Sequence, residues 1–320
     1  MNYGGRILSI RTPDRNGRLD DIVLGYDALE YYLSDAHYFG AIAGRVAGRI
    51  ARARFTLDGR TWQLTPNDGS HHLHGGSKGF DRIIWQAEPF RHQDGLGIRL
   101  EYLSLEGEEG YPGALQARVT YTLNDRNELS VEYRATADQP TPVNLTQHTS
   151  FNLAGQGDVL GHLLQVDADR MIPVDQSLIP TGAIEFVGGG PFDFRRPRLI
   201  GAGLAADNEQ LRLASGYDHD LVLNRTGDGL FRAAELFEPG SGRRLEVYTT
   251  EPALHVYTGN FLGPAVIGKA GRAGRRHGGV CLETQHCADS PNQPAFPSII
   301  LRPGSRYHST TVFAFGTYPI

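Results

Sequence analysis

Two cysteines in 320 residues leave little scope for covalent or thiolate-metal scaffolding. Cys281 and Cys287 have no CxxC spacing and no second ligand pair, so neither a zinc site nor a disulfide framework is indicated, and both read as free thiols of a reducing compartment. Long apolar runs are also lacking. The start, Met1-Asn2-Tyr3-Gly4-Gly5-Arg6, has no apolar signal region, and no later segment is long and apolar enough to span a bilayer, so a cytoplasmic protein with no membrane partner is expected. No glycine-rich strand–turn–helix unit of the dinucleotide-binding kind occurs, and no cofactor is expected. Nor is there an excess of positive charge: 31 Lys and Arg against 36 Asp and Glu give a net charge of −5, which offers no general attraction to nucleic acid or anionic lipid. A neutral small molecule is the better partner. Arg45, Arg49, Arg52 and Arg54 form a local basic cluster, and on a strand they fall on mixed faces; all but Arg49 are expected to be solvated.

What is abundant is turn chemistry. The chain has 40 Gly and 18 Pro without a collagen period, which means many turns and few long helices. Hydrophobic residues make up 40% and charged residues 21%, enough to bury a large core. Val119, Tyr121 and Leu123 alternate with polar residues. After Asn124-Asp125-Arg126-Asn127 so do Leu129, Val131 and Tyr133, the pattern of a half-buried hairpin. Phe55 to Trp62, with Asp58-Gly59 at its centre, signals a second hairpin. Further strands are expected at Leu163 to Val166, Leu221 to Leu223, Leu245 to Tyr248, His255 to Tyr257 and Thr311 to Phe315. Helix signals are confined to Ala28 to Tyr32 and, weakly, Ala202 to Leu213. Many short strands joined by turns bury their apolar faces against another sheet, so the expected fold is all-β, a large antiparallel sandwich formed by residues 1–320 as a single domain.

Two segments carry candidate chemistry. In Cys281-Leu282-Glu283-Thr284-Gln285, strand alternation places Cys281, Glu283 and Gln285 on one face, where burial would raise the Glu283 carboxyl toward a useful base. Without further context, a glutamate paired with an arginine at a strand end is the competing reading. His148 sits among Thr146, Gln147, Thr149 and Ser150, and a neighbouring carboxylate would keep it protonated near neutrality, as a general acid. A lone histidine is more often structural than catalytic. His71, His72 and His74 suggest a metal, but no Asp or Cys lies at ligand spacing and His72 and His74 are expected to diverge, so no metal site is assigned.

These segments, together with Gly44-Arg45-Val46-Ala47-Gly48-Arg49-Ile50-Ala51, Leu73-His74-Gly75-Gly76, Gly107 to Gly113, Tyr217-Asp218-His219-Asp220 and Tyr257-Thr258-Gly259-Asn260-Phe261, resemble the aldose 1-epimerases, also called galactose mutarotases. The resemblance covers nearly the whole chain and implies a galactose mutarotase-like supersandwich. It also implies an isomerase that interconverts the α and β anomers of free aldohexoses such as galactose and glucose. By the resemblance Glu283 is the base and His148 the acid, while His74, Arg49, Asp218 and His255 bind the sugar. Asp220 is ranked behind Asp218, at a position where the family varies. The resemblance shows three departures. The region before Tyr3 is shorter than usual, so an edge strand is expected to be missing; Gly48 stands where an asparagine is usual; and His255 stands where a sugar-contacting glutamine is common. Two other readings remain at this point: a glycoside hydrolase using Glu283 with Asp218, and a non-catalytic carbohydrate-binding module. Either a monomer or a homodimer is compatible with the sequence.

Overall fold

The computed structural model describes residues 1–92, 95–225 and 227–318. Two antiparallel sheets dominate it. The larger has nine strands, in the order Arg198–Leu199, Leu163–Val166, Phe231–Phe237, Arg243–Thr249, Tyr307–Thr317, Glu128–Ala137, Leu115–Leu123, Gly95–Ser104 and Gln86–His92. The smaller has six, in the order Ser150–Phe151, Val280–Gln285, Ala253–Tyr257, Asp218–Leu223, Ala168–Met171 and Glu185–Phe186. One hydrophobic core lies between them: Val119, Val131, Leu245, Val247 and Phe313 of the larger sheet share a cluster with Leu221, Leu254, Val256 and Leu282 of the smaller. The all-β sandwich expected from the sequence is the fold found.

The turns follow from their residues. Leu123 pairs with Leu129 across the Asn124-Asp125-Arg126-Asn127 turn, where Asn127 takes a φ of 60°. In the second hairpin Leu57 pairs with Arg60, so Asp58 and Gly59 alone make the turn, with φ of 50° and 80°; two successive positive φ angles are what a two-residue hairpin of this kind requires. The expected strands all occur within the observed ones. The weak helical stretch after Ala202 is instead two five-residue helices, Ile200–Leu204 and Glu209–Leu213, broken where the Asn208 side chain accepts from the amides of Gln210 and Leu211 and starts the second.

Arg45 corrects the sequence reading. Arg52 and Arg54 are exposed as expected, but Arg45 is 2% exposed. Its guanidinium donates to the carbonyls of Ser104, Leu105, Pro112 and Gly113 and to the hydroxyl of Ser104. Strand alternation could not reveal this, because the partners lie 59 to 68 residues away and most of them are backbone oxygens. The arginine ties the segment that leads to Gly48 and Arg49 onto the connection between Gly95–Ser104 and Leu115–Leu123 of the large sheet. Asn144 makes the companion link, donating to the carbonyls of Ala47 and His286 and accepting from the His286 amide. Arg45→Met should therefore strand several buried carbonyls and lower unfolding free energy by about 2–5 kcal/mol. Urea denaturation checks this, and an unchanged midpoint would show that water replaces the guanidinium without cost.

Candidate active site

The site lies on the face of the six-stranded sheet that turns away from the core. Alternation sorts the side chains: Leu221, Leu254, Val256 and Leu282 enter the core, and their neighbours Asp220, His255, Tyr257, Cys281 and Glu283 point the other way. Register then aligns them across strands. Asp220 is opposite His255, which is opposite Glu283; one pair along, Asp218 is opposite Tyr257, which is opposite Cys281. Residues 36–38, 48–49, 73–74 and 148 meet this face around an open cavity of about 190 Å³. Its walls include all six residues singled out from the sequence, Arg49, His74, His148, Asp218, His255 and Glu283. Drug-sized pockets run to roughly 300–1,000 Å³, so this one suits a single small polar molecule.

Glu283 is 1% exposed, and burial pushes its carboxyl above the usual range, with the positive His148 pulling back. Its Oε1 lies 3.6 Å from Nε2 of His148, while Oε2 accepts no hydrogen bond from the described residues. For His148 burial acts in the opposite sense and disfavours the imidazolium. The Glu283 charge, with Cys281 behind the ring at 3.7 Å from Nδ1, outweighs it and holds the imidazole up at about 10. The two groups thus shift each other, the carboxyl drawing the imidazole toward its protonated form.

His74 is the neutral member. Burial first, then the charges of His148 and Arg49, push it well below the ordinary imidazole value. The Gly48 amide donates to its Nδ1 at 3.3 Å, so the ring proton sits on Nε2 as a donor. Gly48 takes a φ of 76°, and a Cβ there would meet the Ala288 Cβ at 2.8 Å, so glycine suits both the backbone and the crowding. The other two histidines of the run point elsewhere. His72 bonds the Thr65 carbonyl and the Tyr111 hydroxyl, and Nδ1 of His71 accepts from the Arg52 amide. They diverge because the strand ends at Leu73 and His74 turns out with a φ of 49°. Ligand-type atoms of His74, His148 and Glu283 do lie within 4.8 Å of one another. A cation there would have to displace the proton that Glu283 holds on His148.

Arg49 is held by Asp68, 2.7 Å from its Nε, and lies 3.7 Å from Asp218. Asp218 is buried, which pushes its carboxyl up, but His255 and Arg49 reverse this and keep it well below the usual range. The expectation for His255 needs correcting in one respect. Its Nε2 is 2.7 Å from Asp218 and its Nδ1 2.9 Å from Asp220, so both ring nitrogens are already engaged by carboxylates. Asp220, ranked behind Asp218 from the sequence, belongs to the same network. Tyr38 escaped the sequence reading altogether. Its ring lies 4.7 Å from that of His74 and 5.6 Å from that of His148, and it enters on a φ of 54°. Only the aromatic run His37-Tyr38-Phe39 before Gly40 marked the segment, and such runs are ordinarily core.

Comparison with known proteins addresses the family of the chain. The family model described as aldose 1-epimerase matches residues 1–314. The chain is 46% identical over 317 residues to the galactose mutarotase of Bos taurus, covering 98% of this chain and 90% of that protein. It is 41% identical over 321 residues to the aldose 1-epimerase of Escherichia coli, with the same coverage. The crystal structure of an aldose epimerase homologue from C. elegans superposes with a TM-score of 0.90 at 34% identity, covering 99% of this chain and 94% of that one. With the family model matching residues 1–314 and these relatives matching nearly end to end, the chain belongs to the aldose 1-epimerase family.

Proposed function

We propose that the protein is a mutarotase, an isomerase that interconverts the α and β anomers of free aldohexoses such as galactose and glucose, with the whole chain acting as one unit in the cytoplasm. The observation that carries this is Glu283: a buried carboxyl with one oxygen 3.6 Å from the His148 imidazole and the other without a partner among the described residues. The two oxygens on an anomeric carbon are close neighbours, so an acid and a base that serve both must themselves be close. At 3.6 Å these are.

The steps are two proton transfers and one bond change. Glu283 takes the proton of the anomeric hydroxyl, the bond from the anomeric carbon to the ring oxygen breaks, and its electron pair goes to that oxygen, which receives the His148 proton. The product is the open-chain aldehyde. Rotation about the adjacent carbon–carbon bond presents the other carbonyl face. Reclosure returns the ring hydroxyl proton to His148 and the Glu283 proton to the new anomeric oxygen, leaving the enzyme unchanged. The Nε2–H of His74 and the Arg49 guanidinium supply donors for charge that develops on oxygen. Binding of the other hydroxyls falls to Arg49 and Asp218.

The hydrolase reading has less support. It needs two carboxyl groups facing each other across the scissile bond, whereas the group 3.6 Å from Glu283 is an imidazole and Asp218 is engaged by His255 and Arg49. A binding module would have no use for the raised Glu283 or the protonated His148.

Glu283→Gln keeps the shape and removes the base, so polarimetry on freshly dissolved α-galactose should show a loss of roughly 10²- to 10⁴-fold with sugar binding retained. More than half the wild-type rate would take Glu283 out of the role. The reaction needs Glu283 ionised and His148 protonated. Activity should therefore fall as pH drops through the raised Glu283 value, and on the alkaline side only as pH rises toward about 10, rather than near the ordinary 6.5. An alkaline limb centred near 6.5 would contradict the pairing. Prolonged EDTA treatment should leave the rate intact; a loss reversed by zinc would assign His74, His148 and Glu283 to a cation.

A further inference from the structure

The Asp218–His255–Asp220 network is more than a sugar-facing histidine. Asp218 and Asp220 are 7% and 3% exposed, and the imidazole lies flanked by their carboxylates, at 2.7 Å from Nε2 and 2.9 Å from Nδ1. A neutral ring has one N–H and would turn a lone pair toward one of two buried anions; a protonated ring donates to both. The network is anchored at each end. The second oxygen of Asp220 accepts the Ala288 amide at 2.8 Å. At the other end Asp68 grips Arg49 at 2.7 Å, and Arg49 faces the second oxygen of Asp218 at 3.7 Å. Negative and positive groups alternate along the row Asp68, Arg49, Asp218, His255, Asp220, which makes each link favourable to its neighbours.

Building on the mutarotase reading of this cavity, we propose that Asp220 is a positioning residue: anchored on the Ala288 amide, it fixes the His255 ring, and the ring fixes one oxygen of Asp218 so that the other is presented to a sugar hydroxyl. His255 then acts by orienting Asp218 and does not itself read the sugar, since neither ring nitrogen is free. The carboxylate is oriented before the sugar arrives, which lowers the cost of binding, while the proton transfers run through Glu283 and His148 and are untouched.

The proposal separates KM from kcat. Asp220→Ala releases the ring, and KM for galactose should rise by about 5- to 50-fold, the range for a misplaced hydrogen bond to substrate, with kcat changed less than threefold. Asp220→Asn still accepts the Ala288 amide and offers an N–H to Nδ1, so the link survives with a neutral ring and KM should stay within about threefold of wild type. The double variant Asp220→Asn with His255→Gln rebuilds the link from two amides and should do the same. An unchanged KM in Asp220→Ala, or a fall in kcat that accounts for the whole loss of kcat/KM, would overturn the proposal. A second measurement holds even if Asp220→Ala does not fold. In ¹⁵N-labelled wild-type protein at neutral pH both His255 ring nitrogens should carry protons, and Asp220→Asn should leave only the Nε2 proton. A wild-type ring with a single proton would overturn the clamp. Absence of wild-type turnover on any aldose would count against the mutarotase reading instead, and the ring protons would still decide the clamp.

Discussion

A carboxylate taken out of water is the constraint around which this molecule is arranged. Glu283 sits on the second strand of a six-stranded sheet, almost without exposure, with one oxygen that no described residue satisfies. Burying such a charge is costly unless a partner offsets it. The offset comes from His148, whose own burial would otherwise strip its proton. Each group makes the other's charge tolerable. Because they are 3.6 Å apart rather than in tight contact, the interaction leaves room for a substrate to take a share of it.

That balance requires segments distant in sequence to meet with small tolerance, and the fold provides it with backbone-directed side chains. Asn144 binds the strand leading to His148, the loop before Arg49 and the strand after Glu283 in one set of hydrogen bonds. Arg45 spends its donors on carbonyls of two other loops. Neither residue lines the cavity, yet the three functional segments are tied through them. The apolar alternation of the sheet does the rest, since Leu221, Leu254, Val256 and Leu282, by entering the core, turn Asp220, His255, Tyr257 and Glu283 toward the site.

Much of this was legible in the chain. Period-two alternation and the Asp58-Gly59 and Asn124 to Asn127 turns gave strands, hairpins and the sandwich, because these are local signals. Glu283 and His148 were legible through their flanking residues and the family they resemble. What escaped depended on contacts far apart in sequence. Arg45 reads as one of three solvated arginines, with Arg52 and Arg54, until the carbonyls around it are in view. Tyr38 carried no motif and reached the site only through a left-handed backbone turn. His255 was judged by the residue usual at its position, and the two carboxylates that occupy both its nitrogens belong to another strand.

The central claim is that the Glu283 charge holds the proton on His148 against the cost of burial. Following the His148 ring by ¹⁵N nuclear magnetic resonance across pH, in the wild type and in Glu283→Gln, tests it most directly. The account predicts that the wild-type ring keeps its proton until about pH 10. In Glu283→Gln, where burial acts unopposed by that charge, the ring should titrate several units lower. A wild-type ring that titrates near 6.5, or the same titration in both proteins, would contradict it.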